Sequence, residues 1–466
     1  MLSLHHLNRR RFLGLGVLGG LSALGLPRSA AGGEATRRAQ AKNVLVIYEQ
    51  GGLSHLDTWD PKPDALAEHR SPFRPVATRV PGMQFTELLK HTGRVADKLA
   101  VVRSMHHSQS GADAHPNGTQ YALSGSHPGG PTEMPDIGSI VAQRLGTACR
   151  CLPPYVMVPG NHEQAAQTRN AFLPASTRVF KTGGRDVSDP QWKINDLRPR
   201  AENTDRRLTD RRQLLDVVDA AYLGTGTGQR PAGGMERFYD QAFDMLTNSK
   251  VAAAFDLGTE PQAVRDKYGP GHRGACYLVG RKLIEAGVRF VTVDARWPLT
   301  PETPRGGNLN WDHHDFIYAQ KTCELPGASG AGAGRYGIGH WCMMGSLDQA
   351  FAALVEDLDQ RGLLAETLVC FVSEFGRTPK LNKFQGRDHW THAYALAFAG
   401  AGVPGGQVIG RSDKSGGYVT DDPHTPEDYA ATIYEKLGID RTQPLYTASH
   451  RPVYFGHGGE PIANLF

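Results

Sequence analysis

The chain has 466 residues, of which 39% are hydrophobic and 21% are charged, so it is long and apolar enough to bury a sizeable core. Its 51 Lys and Arg exceed its 47 Asp and Glu by four, and the first 31 residues account for that whole excess, with four arginines and no acidic residue. The rest of the chain is therefore neutral and has no run of Lys and Arg, which argues against nucleic acid or an anionic membrane surface as its main partner.

The N-terminal residues 1–31 have the pattern of an export signal. Three consecutive arginines at 9–11 precede an apolar, Gly-rich stretch that runs to about Leu26, and small residues at 29–31 offer a cleavage site. The pattern resembles a twin-arginine signal peptide and predicts a protein of the periplasm or cell envelope. An N-terminal membrane anchor is the alternative, but the stretch is shorter than the roughly 20 residues that a span needs. No later segment is apolar enough to cross a bilayer, so we expect no membrane span in the mature chain.

Strands and helices alternate along the rest of the chain. Short apolar, β-branched runs predict buried strands, and segments with helical periodicity lie between them. The predicted strands are at 43–48, 99–103, 155–158, 289–293, 367–372 and 393–399. The predicted helices are at 137–145, 275–286, 343–361 and 426–437. This order predicts one α/β/α sandwich over residues 43–466, with a mostly parallel central sheet covered by helices on both faces.

Residues 161–271 interrupt this alternation. The segment is polar and has no strand-like run. Charged helical stretches near 205–223 and 235–257 are separated by the Gly-rich residues 224–234. We therefore expect a helical insertion, or lid, within the sandwich.

The six cysteines form no CxxC pair and no regular framework. Only one residue separates Cys149 from Cys151, which disfavours a bridge between them. A disulfide such as Cys323–Cys342 is compatible with an oxidising compartment.

Histidines and carboxylates follow several of the predicted strands. The carboxyl ends of parallel strands meet at one edge of a sheet, which is where such proteins place their chemistry. Side chains of these types are what one or two divalent ions, such as zinc, calcium or manganese, need as ligands. Our first choice of metal ligands is Glu374, Asp312, His314 and His389. The second-choice metal ligands are Asp57, His55, His115, Asp388 and His392. The alternatives are a turn or cap role for Asp57 and an ion pair with Arg387 for Asp388.

Four motifs resemble those of a known family. They are Gly51-Gly52-Leu53-Ser54-His55-Leu56-Asp57-Thr58-Trp59-Asp60-Pro61-Lys62-Pro63, Trp311-Asp312-His313-His314, Glu374-Phe375-Gly376-Arg377-Thr378-Pro379 and Gly386-Arg387-Asp388-His389-Trp390. They are similar to the recurrent motifs of the domain-of-unknown-function family numbered 1501, across nearly the whole mature chain. That family is regarded as a branch of the alkaline phosphatase and sulfatase superfamily. The resemblance therefore implies an alkaline phosphatase-like fold and a metal-dependent hydrolase of sulfate or phosphate esters.

The resemblance also implies a nucleophile ten residues before a glycine such as Gly125. Counting back from Gly125 gives His115, which is not a usual nucleophile of this superfamily. The hydroxyls of Ser110 and Thr119 are nearby, but neither has the expected spacing. This departure argues against a standard two-zinc phosphatase or formylglycine sulfatase mechanism.

A second departure lies at the end of a later strand. There Glu374 corresponds to a metal-binding aspartate of the superfamily, and Phe375 corresponds to the residue after it. The carboxylate ligand is therefore retained and the neighbouring ligand is lost. A remodelled metal centre is therefore expected.

Within that centre, we expect His115 to act as a base or covalent acceptor. Arg377 is expected to hold an anionic ester oxygen through bidentate hydrogen bonds, and a structural pair between Arg377 and Glu374 is the alternative.

Two functions are compatible with these residues. The first is an exported hydrolase acting on a small-molecule or glycan ester. The second is a non-catalytic relative that binds a metal, an anion or a glycan in the cell envelope.

Overall fold

The computed structural model describes residues 39–149, 151–161, 163–184, 186–192, 194, 205–224, 242–296, 310–319 and 336–466. The leader at 1–31, the Gly-rich residues from 225 to 234 and Cys323 therefore lie outside the described residues. Across the described ranges, no helix is long and apolar enough to cross a membrane.

Eight strands form the central sheet. They are β1 (Asn43–Tyr48), β2 (Leu99–Met105), β3 (Tyr155–Val158), β4 (Phe180–Lys181), β5 (Phe290–Val293), β6 (Thr367–Val372), β7 (Tyr394–Ala399) and β8 (Gln407–Ile409). Their order across the sheet is β8-β2-β7-β6-β1-β5-β3-β4. β7 runs antiparallel to both of its neighbours, and every other neighbouring pair is parallel. The mostly parallel sheet is thus confirmed.

The sheet is buried on both faces, which explains why its strands are continuous apolar runs. Along β1, Leu45 and Ile47 point into one apolar cluster. Val44 and Val46 point into the other. A strand with only one buried face alternates apolar and polar residues, and β1 does not, because both of its faces are covered.

Helices supply the two covers. The α-helices of the described residues include α1 (His115–Ser124), α2 (Ile137–Leu145), α3 (Asp205–Gly224), α4 (Ser249–Phe255), α5 (Gln262–Tyr268), α6 (His272–Glu285), α7 (Ser346–Gln360) and α8 (Pro426–Lys436), and all of these except α3 contribute side chains to the two covers. Apolar side chains of α4, α6 and α7 lie in the cluster with Leu45, and those of α1, α2 and α8 lie in the cluster with Val44. The predicted α/β/α sandwich is therefore confirmed.

Short antiparallel pairs complete the chain. They are Pro75–Ala77 with Gln84–Thr86, Gly376–Arg377 with His389–Trp390, Arg411–Ser412 with Val419–Asp421, and Leu445–Tyr446 with Pro452–Val453. The second of these pairs, which we call the site ribbon, carries residues of the candidate site.

The structure corrects two expectations. The segment 161–271 was expected to contain no strand, but β4 lies within it and pairs with β3. A strand of two residues is too short to leave a recognisable pattern in the sequence. Cys149 and Cys151 form a disulfide, contrary to the expectation from their spacing, because their Cα atoms are 5.4 Å apart, within the usual range for such a bond.

Candidate metal centre

Four side chains meet around one oxygen atom near the carboxyl end of the sheet. The Nε2 atoms of His115, His314 and His389 lie 3.1, 2.9 and 3.0 Å from Asp312 Oδ1. The Nε2 atoms of His314 and His389 are themselves 3.0 Å apart. We call these four residues the imidazole cluster. Within it, His115, Asp312 and His389 satisfy the spacing that a shared metal ion requires.

Three separate segments bring these side chains together. His115 is the first residue of α1, where the following Pro116 favours the start of a helix. Asp312 and His314 lie in the loop region after β5, and His389 lies in the site ribbon. Close backbone contact between the last two segments depends on Gly386, since a Cβ atom there would lie 2.0 Å from the carbonyl carbon of His314.

The Nδ1 atom of each cluster histidine faces an oxygen. His115 Nδ1 lies 2.8 Å from Glu374 Oε1, and His314 Nδ1 lies 2.8 Å from Asp388 Oδ1. His389 Nδ1 contacts the backbone carbonyl of Asp113. An acceptor at Nδ1 keeps the ring proton on that nitrogen, so the Nε2 lone pair is left for a ligand. The arrangement therefore brings three Nε2 atoms to the carboxylate of Asp312, and those of His115 and His389 are close enough to it and to each other to share an ion.

This donor set fits a divalent ion. Imidazole nitrogens about 3 Å from a carboxylate oxygen either donate a ring proton to it or share a cation with it. The Nε2 atom of His115 is buried and makes no hydrogen bond, although it lies close to the Asp312 carboxylate. A nitrogen-rich set with one carboxylate is the type that zinc prefers.

The negative charges around the cluster favour a positive charge within it, carried by a ring proton or by a metal ion. Burial opposes ionisation of Asp312, but its contacts with the three imidazoles and the charge of Arg377 hold the pKa of Asp312 far below its usual range. Burial likewise opposes a charge on His115, yet the carboxylates of Asp312 and Glu374 raise the pKa of His115 to about 9. At His389, burial is the main cause of a lowered pKa.

Glu374 orients a cluster residue and does not join the cluster. Its Oε1 atom accepts the backbone N–H of Gly51 at 2.7 Å and lies 2.8 Å from His115 Nδ1. Our first choice of ligands included Glu374, and the structure places it behind His115. His115, which was among the second-choice ligands, lies in the cluster instead of Glu374.

Arg377 positions Asp312. The fully buried guanidinium donates from Nη2 to Asp312 Oδ1 at 2.7 Å and from Nε to the carbonyl of Gly52 at 2.9 Å. It also donates to the carbonyls of Arg387 and Gly51. These partners occupy the arginine, so the geometry does not support its expected role of holding an ester oxygen. The alternative pairing with Glu374 is replaced by the pairing with Asp312.

Three further candidates lie outside the cluster. The Nε2–H of His55 donates to the carbonyl of Gly416 at 2.8 Å. Asp57 accepts the hydroxyls of Ser54 and Tyr318 and pairs with Arg387. The exposed His392 packs its ring against Trp390 and Tyr418. The fourth, Asp388, contacts His314 and lies beside the cluster.

The Phe375 ring forms one wall of the site, a role that the sequence did not indicate. Its ring centroid lies 4.5 Å from that of His389 and 5.3 Å from that of His115. The ring fits because two neighbours are glycines, since a Cβ at Gly52 or Gly118 would lie 2.7 or 2.8 Å from it. The Gly51-Gly52 pair was the available signal, because adjacent glycines at a strand end indicate close packing.

Comparison with known proteins agrees with the motif resemblance. The family model described as "Protein of unknown function (DUF1501)" matches residues 41–466, which confirms the family that the motifs indicated. No curated protein matches the chain.

Several solved structures are loosely similar. Phosphonate monoester hydrolase of Agrobacterium radiobacter is 10% identical, with 91% of this chain and 77% of that chain covered and a TM-score of 0.38. The PsFucS1 sulfatase from Pseudoalteromonas sp. is 12% identical, with 91% and 71% covered and a TM-score of 0.35. The lipoteichoic acid synthase LtaP from Listeria monocytogenes is 9% identical, with 86% and 73% covered and a TM-score of 0.33.

Proposed function

The chain belongs to the DUF1501 family, and we propose that it is an exported, metal-dependent hydrolase of sulfate or phosphate esters. The observation that carries the proposal is the convergence of three imidazole nitrogens on the Asp312 carboxylate. The cluster lies near the carboxyl ends of parallel strands, where α/β proteins bind their ligands.

His115, Asp312, His314 and His389 are the residues that would hold the ion. A divalent ion at such a site supplies Lewis acidity, which polarises an ester oxygen and lowers the pKa of a water molecule. Between 16% and 25% of each cluster histidine side chain is exposed, so a small ester can approach from solvent.

The surrounding residues orient the ligand atoms. Glu374 and Asp388 hold protons at Nδ1 of His115 and His314, which keeps each Nε2 atom available. Arg377 fixes the Asp312 carboxylate in place. His115 thus has both nitrogens engaged, and we propose that it acts as a ligand and not as the base or covalent acceptor that the sequence suggested.

A non-catalytic function in binding a metal, an anion or a glycan is the second candidate. It is favoured by the positions of the hydroxyls near the expected nucleophile. Thr119 is buried and accepts the hydroxyl of Tyr48 at 2.8 Å, and Ser110 is exposed. Neither hydroxyl is placed in the imidazole cluster.

Turnover measurements separate the two candidates. We expect the zinc- or manganese-loaded mature protein to hydrolyse p-nitrophenyl phosphate or p-nitrophenyl sulfate. His115→Ala should lose metal and activity together, because a methyl group cannot replace a ligand. The exposed His450 adopts a φ of 60°, which asparagine tolerates, so His450→Asn is a control that should keep both. Absence of turnover in metal-loaded wild type on both esters would remove the enzyme proposal and leave the binding function.

A further inference from the structure

Building on the proposed function, we propose that Trp390, His392 and Tyr418 form a platform that binds a saccharide ring, so that the substrate is a carbohydrate ester. The ring centroids lie 4.7 Å (Trp390–His392), 5.5 Å (Trp390–Tyr418) and 5.3 Å (His392–Tyr418) apart, with the rings of His392 and Tyr418 inclined by 38° and the ring of Trp390 edge-on to both. His392 is exposed, and Tyr418 is 54% exposed. We call these three residues the ring platform.

The ring platform is held in place by its own hydrogen bonds. The indole N–H of Trp390 donates to the carbonyl of Gly417. The backbone N–H of Tyr418 donates to Asp413 Oδ2 at 3.2 Å, and Asp413 N–H donates to the carbonyl of Tyr418 at 2.8 Å. Rigid aromatic side chains lose little conformational entropy when a ligand binds, which suits them to recognition.

His55 holds the loop that carries Tyr418 from its buried side. It is buried, and its Nε2–H donates to the carbonyl of Gly416, two residues before Tyr418. Gly416 has a φ of +74°, and a Cβ atom there would lie 2.4 Å from the Leu56 side chain. The loop is therefore closely packed on the segment that follows β1. A histidine that the sequence suggested as a metal ligand thus supports the ring platform.

The ring platform adjoins the imidazole cluster through the site ribbon. Trp390 directly follows His389, and both residues pair with Gly376–Arg377. Successive side chains of a strand point to opposite faces, so the ring of Trp390 lies on the other face of the ribbon from His389. A chain of several sugar units has the length to contact both faces, whereas a single small ester does not.

The chemistry around the rings favours a saccharide. An aromatic face offers an apolar surface with partial negative charge, which attracts the C–H groups on one side of a sugar ring. The neighbouring loop residues are polar, and they include Arg411, Asp413, Lys414 and Ser415. A lipid chain needs a continuous apolar patch, while a saccharide pairs its hydroxyls with a polar rim.

Affinity gel electrophoresis tests this proposal. Metal-loaded mature protein is run through gels containing dextran, arabinoxylan, alginate or chondroitin sulfate. We expect at least one polymer to retard the wild type and Tyr418→Ala to weaken that retardation on the order of tenfold, because one stacking face is lost. Tyr418→Phe should restore it. Tyr446→Ala, at a tyrosine that is 58% exposed elsewhere on the surface, should match the wild type.

The metal content of each variant is measured in parallel. Tyr418→Ala should keep its metal, and His314→Ala should lose metal but keep its retardation, which distinguishes failure of the ring platform from failure of the proposed hydrolase. The proposal is overturned if no polymer retards the wild type or if Tyr418→Ala behaves like the wild type. It is also overturned if Tyr418-dependent binding occurs only on phosphatidylglycerol vesicles.

Discussion

At the scale of single residues, Glu374 shows a buried carboxylate used for orientation. Burial opposes its charge, but the hydrogen bond and charge of His115, together with the N–H of Gly51, lower the pKa of Glu374. The carboxylate therefore stays ionised and keeps the ring proton of His115 on Nδ1. An orienting acceptor of this kind typically strengthens metal binding 10–100-fold.

Glu374→Gln is expected to weaken zinc binding by about 10–100-fold, because an amide is a poorer acceptor for the His115 N–H. Competition with a chromogenic chelator measures the affinity. Glu366→Gln provides the control, since Glu366 is exposed and pairs only with the surface residue Lys42 among its described contacts. Equal zinc affinities for Glu374→Gln and the wild type would contradict the orienting role.

The sequence indicated several residues that the structure brings together, but not the direction of every side chain. Asp312, His314 and His389 were expected as ligands, and the structure brings them together. His55 and Asp57 also follow a strand, but their side chains turn towards Gly416 and Arg387. Position after a strand places a residue at the correct edge of the sheet, while the path of the loop decides where its side chain points.

At the scale of elements, α1 packs closely against the site. Gly118 lies one turn after His115, and a Cβ atom there would lie 2.8 Å from the Phe375 ring and 3.0 Å from the carbonyl of Ala112. Phe375 in turn packs on the rings of His115 and His389. The absence of a side chain at Gly118 therefore lets the helix, the Phe375 ring and the rings of His115 and His389 come together.

Gly118→Ala should destabilise the protein by about 1–3 kcal/mol, because overpacking outweighs the gain of about 1 kcal/mol that alanine normally brings to a helix. We also expect weaker metal binding, as Phe375 must move. Thermal denaturation with and without zinc measures both effects. Gly93→Ala is the control, since its nearest neighbour lies at 3.7 Å, an ordinary contact distance. A rise in the melting temperature of Gly118→Ala would contradict the packing argument.

The elements themselves differed in how well the sequence revealed them. Strands with both faces buried, such as β1 and β6, are long apolar runs and were predicted with correct bounds. The edge strands β4 and β8 have two and three residues, too few to show a pattern. α4 and α5 lie in the segment that was predicted as a polar helical insertion or lid, and they contribute Val251 and Tyr268 to the core.

At the scale of the whole molecule, stability should depend on pH through Asp294. This residue is fully buried at the end of β5, and it accepts the N–H of Gly160 at 2.8 Å and Gln50 Nε2 at 3.1 Å. Burial is the largest cause of its shift, and it raises the pKa of Asp294 to about 7. The folded state therefore binds a proton that the unfolded state has released, in the window from about pH 4 to about pH 7.

Because the folded state binds more protons in that window, the stability of the wild type should fall as the pH rises through it. Asp294→Asn cannot ionise, so it lacks this loss of stability. Between pH 4 and pH 8, the difference in free energy of unfolding between Asp294→Asn and the wild type should therefore change in favour of the variant by up to about 4 kcal/mol, at about 1.4 kcal/mol per pKa unit. Urea denaturation at the two pH values measures the difference. Parallel pH profiles for the two proteins would show that Asp294 ionises normally.

Export is a second property of the whole chain. The three arginines at 9–11 and the apolar stretch after them predict the twin-arginine route. Replacing Arg9 and Arg10 with lysine should leave the precursor in the cytoplasm of a host with a functional twin-arginine system. Fractionation followed by immunoblotting measures this. Normal maturation of the variant would contradict the route.

The most direct measurement is the metal content of the mature protein, purified without chelators and analysed by mass spectrometry for metals, alongside Asp312→Asn. We predict about one divalent ion per chain in the wild type, because His115, Asp312 and His389 offer ligand atoms at the spacing that one shared ion requires. Asp312→Asn should lose most of that ion and should no longer gain thermal stability when zinc is added. A wild type that contains no metal, and whose melting temperature does not change with zinc, calcium or manganese, would contradict the account.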